Sequence, residues 1–186
     1  MTTIVYPARR LFIGRTAKLL VAGTVLPLAG PALAALPRNA QRLDFEHLHT
    51  NESLSVVFKI GNKYVPRALN ALNHLLRDHY TDEVGSIDPQ LFDLLYQTRQ
   101  ELGSREPFQI ISGYRCPTTN TRLRQSGGGG VARQSLHMEG RAIDIRLGDV
   151  PLADLRDAAI SLNGGGVGFY PREEFVHLDT GKVRYW

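Results

Sequence analysis

Apolar and polar positions alternate through residues 43–60: Leu43 and Phe45, then Leu54, Val56, Phe58 and Ile60, with Thr50-Asn51-Glu52-Ser53 between the runs. A period of two is that of half-buried strands, so this stretch predicts a β-hairpin. The period then lengthens. In "VPRALNALNHLLRDHY", Leu69, Leu72, Leu75 and Leu76 fall on one helical stripe behind Pro66, a residue tolerated in a first turn. "DPQLFDLLYQTRQELG" predicts a second helix, capped by Asp88, opened by Pro89, buried through Leu91, Leu94, Leu95 and Leu102, and closed by Gly103.

The second half is more broken. "PFQIISGYR" reads as a buried strand ending at Arg115, "PTTNTRLRQ" as a short helix, and Gly127–Gly130 as a loop. "AIDIRL" predicts a strand, "VPLADLRDAAISL" a helix, and "GVGFY" and "FVHLDTG" two more strands. Strands and helices mix without regular βαβ alternation, and neither a repeat nor an internal boundary is visible. The expected class is α+β, a single domain with a mainly antiparallel sheet packed by helices.

Composition sets the frame for this pattern. At 42% hydrophobic and 22% charged residues, the chain is an ordinary globular polymer. Its net charge of +4 hints at nucleic acid, but Arg9, Arg10, Arg15 and Lys18 lie in the first 34 residues, which hold no acid. The remainder carries 18 basic and 18 acidic residues, so a nucleic-acid partner loses its electrostatic support. Residues 1–34 have the layout of an export signal: paired arginines, a mildly apolar run broken by Pro27, and Ala32-Leu33-Ala34 before Ala35. Arg9-Arg10-Leu11-Phe12-Ile13 resembles the twin-arginine type, whereas an ordinary secretory signal is the plainer alternative. The expectation is a mature domain over 35–186 in the periplasm or cell envelope, without a transmembrane span. A single cysteine, Cys116, excludes an internal disulfide, so packing or a bound metal has to supply stability.

Candidate chemistry gathers around "SLHMEGRAID". His137 and Asp144 would lie on the order of 23 Å apart in one unbroken strand. Gly140 lets the chain turn, and the following alternation puts Ala142, Asp144 and Arg146 on one face and Ile143, Ile145 and Leu147 on the other. In "FVHLDTG", Phe175, His177 and Asp179 share a face while Val176 and Leu178 point to the core. If the two strands are near neighbours, two imidazoles and a carboxylate meet. With water in the fourth position they form an open tetrahedral zinc site, a ligand set that magnesium and calcium do not favour. Spacing alone leaves the alternative of ordinary structural histidines open.

The order Ser135-x-His137-x-x-Gly140-x-Ala142-x-Asp144, followed by His177, resembles the signature of the zinc D-Ala-D-Ala carboxypeptidase and hedgehog-type superfamily. "SGYRCPTTN", "SLHMEGRAIDIRL" and "GGVGFYPREEFVHLDTGKVRYW" are similar to the YcbK-like murein endopeptidases. "HLHTNESL", "LNHLLRDH" and "IDPQLFDLL" extend the likeness over nearly all of residues 40–186.

The resemblance implies one zinc ion on His137, Asp144 and His177, and a substrate in the stem peptides or cross-links of peptidoglycan. It also implies Arg115 beside the substrate carbonyl, where a guanidinium stabilises an oxyanion, with Ser135 as a second substrate contact. For the general base there are two candidates. Glu174 matches the acid that related carboxypeptidases carry three positions before the last histidine. Asp179 has the better strand parity and belongs to the His-x-Asp-Thr-Gly element, where its alternative role is to orient His177. Glu139 is a third acid, read as solvated.

Two rival functions remain: a non-catalytic metal-stabilised murein-binding module, and a D-alanine carboxypeptidase in which Arg133 or Arg141 anchors a free carboxylate. Three further features carry plainer expectations. Cys116 lacks an activating base, His47-x-His49 reads as a solvated face at a hairpin end, and Gly127–Gly130 reads as a lid or slot beside the cleft.

Overall fold

A computed structural model describes residues 37–126 and 131–186. The export-signal and glycine-loop expectations, on 1–34 and 127–130, lie outside the described residues. The elements are β1 (Ala40–His47), β2 (Ser53–Ile60), β3 (Lys63–Tyr64), α1 (Pro66–Leu75), α2 (Pro89–Leu102), β4 (Phe108–Ser112), α3 (Pro117–Ser126), a 3₁₀ turn (Leu136–Glu139), β5 (Ala142–Leu147), α4 (Leu152–Ser161), β6 (Gly166–Tyr170), β7 (Phe175–Asp179) and β8 (Arg184–Tyr185). The strands form one sheet in the order β3-β2-β1-β4-β5-β7-β6-β8. Pairing is antiparallel except between β1 and β4 and between β6 and β8. This is the α+β architecture expected from the alternating pattern.

One sheet face is apolar and covered by helices. Leu43, Phe45, Phe58, Phe108, Ile110, Ile143, Ile145, Val176 and Leu178 are buried there together with Leu72, Leu91, Leu95 and Leu155. Burying each large apolar side chain contributes roughly 1.5–3 kcal/mol, enough for this layer to fix the strands' register. α2 ends as its composition dictates: the Asp88 carboxylate accepts from the Gln90 N–H, Pro89 opens the first turn, and Gly103 closes it at φ +64°.

Two boundaries differ from expectation, and two-residue strands are added. α1 stops at Leu75, because the Asp78 carboxylate accepts the Tyr80 and Cys116 backbone N–H groups and so holds the chain in a turn. β4 stops at Ser112, so Arg115 stands on the loop beyond the strand. β8, a two-residue strand, is too short to leave a periodic trace in the sequence.

Candidate metal centre

β5 and β7 are antiparallel neighbours with Asp144 directly opposite His177. The same row across the sheet continues to Ser112 on β4 and Gly168 on β6. Opposed residues on one face hold their Cβ atoms about 4.5–5.5 Å apart, so carboxylate and imidazole meet without backbone distortion. His137 arrives from the 3₁₀ turn. Ser135 caps that turn by accepting the His137 N–H, and Gly140 leaves it at φ +65°. Only glycine fits there: a Cβ at Gly140 would lie 1.9 Å from the Ser86 carbonyl oxygen.

The hydrogen bonds around the two rings fix their tautomers. A carbonyl can only accept, so His137 Nδ1–H donates to Gly113 O at 2.7 Å. His177 Nε2–H likewise donates to Asp179 Oδ2 at 3.1 Å. The remaining ring nitrogens, His137 Nε2 and His177 Nδ1, face each other at 3.2 Å. Asp144 Oδ1 lies 3.3 Å from the first and 2.8 Å from the second. Three potential ligand atoms on three buried residues therefore converge on one point.

Three ligands each 2.0–2.1 Å from one tetrahedral ion stand about 3.3 Å apart, so this triangle fits a divalent cation with a fourth position open. The local electrostatics agree. Burial opposes ionisation of Asp144, but the two imidazoles outweigh it and hold the carboxyl well below the usual carboxylate range. Burial pushes His137 down. It acts in the same direction on His177, yet hydrogen bonds to Asp144 and Asp179 raise that group to about 9, so without a cation Nδ1 holds a proton toward Asp144, which a bound cation would displace. The cluster attracts positive charge.

A cavity of about 300 Å³ opens over these atoms. Arg115 and Ser135 line one side, and Tyr170, Phe175, Arg184 and Trp186 the other. Arg115 donates to Ser112 Oγ at 3.2 Å and stands 3.6 Å from Asp144 Oδ2, so its guanidinium is fixed beside the carboxylate's second oxygen.

The two candidate bases both face other partners. Asp179 is fully buried and accepts from His177, from the Gly166 and Gly181 backbone N–H groups, and twice from Arg184. Burial disfavours its charge, but these donors hold the carboxyl far below its ordinary range. It sits behind the ring, away from the cavity. Glu174 precedes β7 at φ +58° with its side chain 74% exposed, and pairs with Arg146 at 3.2 Å. Besides Asp144, the acid that lines the cavity is its neighbour Glu173. Sequence reasoning passed over Glu173, Gly113, Arg184 and Trp186. All four sat in stretches already quoted, Gly113 in "SGYRCPTTN" and the other three in "GGVGFYPREEFVHLDTGKVRYW", but none was given a role there.

The other candidates fall elsewhere. Cys116 is buried, with its sulfur against Thr81 and Thr119. Arg141 holds the Thr180 carbonyl and Glu139, and Arg133 is exposed without lining the cavity. His47 corrects the expectation of a solvated pair: His49 is exposed, but His47 is buried and packs beside His49 and His79.

The family described as peptidoglycan L,D-endopeptidase MepK matches residues 35–186. The peptidoglycan L,D-endopeptidase MepK of Escherichia coli K12 is 45% identical over 160 residues, covering 86% of this chain and 87% of its own. The probable peptidoglycan L,D-endopeptidase MepK of Haemophilus influenzae is 41% identical over 165 residues, covering 88% and 87%. With its likeness extending over nearly the whole described chain, the protein belongs to the MepK family of peptidoglycan endopeptidases.

Proposed function

We propose that the chain is a metal-dependent hydrolase of peptidoglycan peptide bonds, with the L,D-endopeptidase specificity carried in its relatives' names. One observation supports this reading above the others: three potential ligand atoms, from His137, Asp144 and His177, converge at the floor of a cavity. Two imidazoles and one carboxylate select zinc over oxygen-seeking magnesium or calcium. Bound there, zinc supplies Lewis acidity, polarising a carbonyl and acidifying water toward a pKa near ~7.

The protein's own groups do the rest. Gly113 O and Asp179 accept from the far nitrogens of the two rings, which turns His137 Nε2 and His177 Nδ1 toward the point where a cation would be held. Arg115, fixed by Ser112, faces the carbonyl oxygen and stabilises the negative charge that water attack places on it, an effect typically worth ~3 kcal/mol. Ser135 lines the same wall as a substrate contact. The proton acceptor comes from the turn before β7: Glu173 lines the cavity, and Glu174 reaches it by releasing Arg146. Asp179 has the orienting role.

The cavity favours an endopeptidase over a carboxypeptidase. Among the described residues its arginines are Arg115, beside Asp144, and Arg184, paired with Asp179, so neither is a free anchor for a terminal carboxylate. Residues 1–34 act as the export signal, of twin-arginine type, and deliver residues 35–186 to the periplasm or cell envelope. No helix among the described residues is long and apolar enough to cross a membrane.

The test is digestion of purified sacculi by the metal-loaded protein, with and without chelator, beside His137→Ala, Glu173→Gln and Glu174→Gln, with products identified by mass. Cross-link loss that chelator abolishes is the expected result. Free D-alanine as the product would make it a carboxypeptidase, and absence of any metal-dependent product would leave a binding module. The glutamate that accepts the proton is the one whose replacement lowers kcat.

A further inference from the structure

The cavity has one wall that the chemistry above does not use. Tyr170 and Phe175 stack with ring centroids 4.5 Å apart and an interplanar angle of 18°. Beside them Trp186 donates its indole N–H to the Tyr170 hydroxyl at 2.7 Å, and its ring centroid lies 5.4 Å from that of His177. The three rings make a continuous aromatic surface that begins at the imidazole of the metal centre.

Several independent contacts seat this indole. Its backbone pairs with β6, through Trp186 N–H to Val167 O at 3.3 Å and Phe169 N–H to Trp186 O at 2.9 Å. The Arg184 guanidinium lies 5.0 Å from the indole centroid and is itself held by Asp179. Gly168 clears the space beneath, since a Cβ there would meet indole carbons at 2.7 Å. Trp186 nevertheless remains 50% exposed. An aromatic side chain with its polar atom satisfied, fixed in one pose and half open to a cavity is a preorganised contact surface, because little rotamer freedom is lost when a ligand covers it.

We propose that Trp186, supported by Tyr170 and Phe175, is a substrate-binding residue that packs against the aliphatic segment of the stem peptide next to the scissile bond. This rests on the endopeptidase reading of the same site. The geometry divides the labour within the cavity: the Arg115 and Ser135 side handles the polar amide, and the aromatic side selects for CH-rich peptide chain. The occupant is a peptide segment because the surface is continuous with the atoms that act on the amide.

The chain has one tryptophan, so its intrinsic emission reports this position alone. Muropeptides released from sacculi by a muramidase are titrated into the metal-free protein, and acrylamide quenching of the emission is followed. Quenching falls at least about two-fold at saturation if the indole is covered. In the metal-loaded protein, Trp186→Leu raises KM about ten-fold with kcat within about two-fold, while Trp186→Phe stays within about three-fold of the unsubstituted KM. Metal content stays at one per chain in both variants.

The inference is overturned if quenching is unchanged by muropeptide, if KM is unchanged in Trp186→Leu, or if that variant loses metal or kcat instead, which would make the indole a support for His177. Failure of the unsubstituted, metal-loaded protein to cut any peptidoglycan is a different outcome: it removes the endopeptidase reading itself, and this inference with it.

Discussion

The molecule holds two clusters of three residues built around histidine, and they have opposite electrostatic characters. At the first, carboxylates and a carbonyl surround the rings, and His177 is raised to about 9. At the second, His47, His49 and His79 pack ring to ring, the last two stacked at 4.3 Å. There burial pushes His47 down to about 4, helped by its histidine neighbours, and also lowers His79. The difference lies in what the non-coordinating nitrogen meets. Gly113 and Asp179 accept hydrogen bonds from His137 and His177, which turns the opposite ring nitrogens toward the shared point. His47 Nδ1 instead accepts the His49 backbone N–H at 3.2 Å, so its proton sits on Nε2, a buried atom with no partner among the described residues. What equips a histidine to serve as a ligand is the acceptor behind it, not the number of histidines around it.

The sharpest way to break this comparison is Asp144→Asn. It removes the negative charge that draws a cation to the two rings, and a buried amide replaces it. Metal content, measured by mass spectrometry of the purified protein, should fall from one per chain to near zero, and sacculus digestion should drop at least about a thousand-fold. Retained metal would mean that the two imidazoles suffice and that the carboxylate is incidental. A smaller effect is expected one step back from the ion. Asp179→Asn keeps all three ligands but weakens the hold on His177, so metal affinity by chelator competition should fall about 10–100-fold. No change would assign Asp179 to closing the turn at Gly181 alone.

These contrasts show what could be read along the chain. Alternation put Asp144 and His177 on non-core faces, because period two follows from the pleat. It could not say that β5 and β7 are neighbours with these two residues in register, which depends on pairing across 33 positions of sequence. The family resemblance supplied that link. Parity likewise put Asp179 on the face of His177, as found, yet two residues along a strand is nearly 7 Å. That distance brings its carboxylate to the far nitrogen of the ring, not to the cavity. Glu174 required the strand to begin just after it, and it does, but its side chain turns to Arg146. Gly113 acts through a backbone oxygen, and Trp186 is placed by backbone pairing just after a two-residue strand; neither leaves a pattern in side-chain type. His47 was misjudged for a similar reason: the hairpin end is exposed by sequence, and only the packing of His79 from the turn after α1 covers it.

The second cluster has its own pH signature. His47 is 1% exposed and neutral when folded, with its value lowered to about 4 from an ordinary 6.5. Above 6.5 neither folded nor unfolded chain is protonated at this site, so it contributes no pH dependence. As pH falls below 6.5 the unfolded state gains the proton first, and stability declines until the folded ring also titrates near 4. At pH 5 the loss amounts to about 2 kcal/mol. Urea unfolding of the metal-free protein at pH 7.5 and pH 5 should show a loss about 2 kcal/mol larger in the unsubstituted chain than in His47→Asn, the remainder coming from His79 and His137, which burial also lowers. An equal pH response in both would mean that His47 is open to protonation in the folded state.

The smallest effect separates proximity from function most directly. His49 is exposed, and its ring stacks on His79 without a hydrogen bond to it. A solvated stack of two rings contributes little, because water covers the outer face and the side chain loses rotamer freedom to make the contact. His49→Ala should therefore change unfolding free energy by no more than about 0.5 kcal/mol and leave metal stoichiometry at one. A second equivalent of zinc bound by the unsubstituted protein and lost in His49→Ala would overturn the comparison. It would show that the backbone N–H on His47 Nδ1 can be displaced and that ring count alone had been enough.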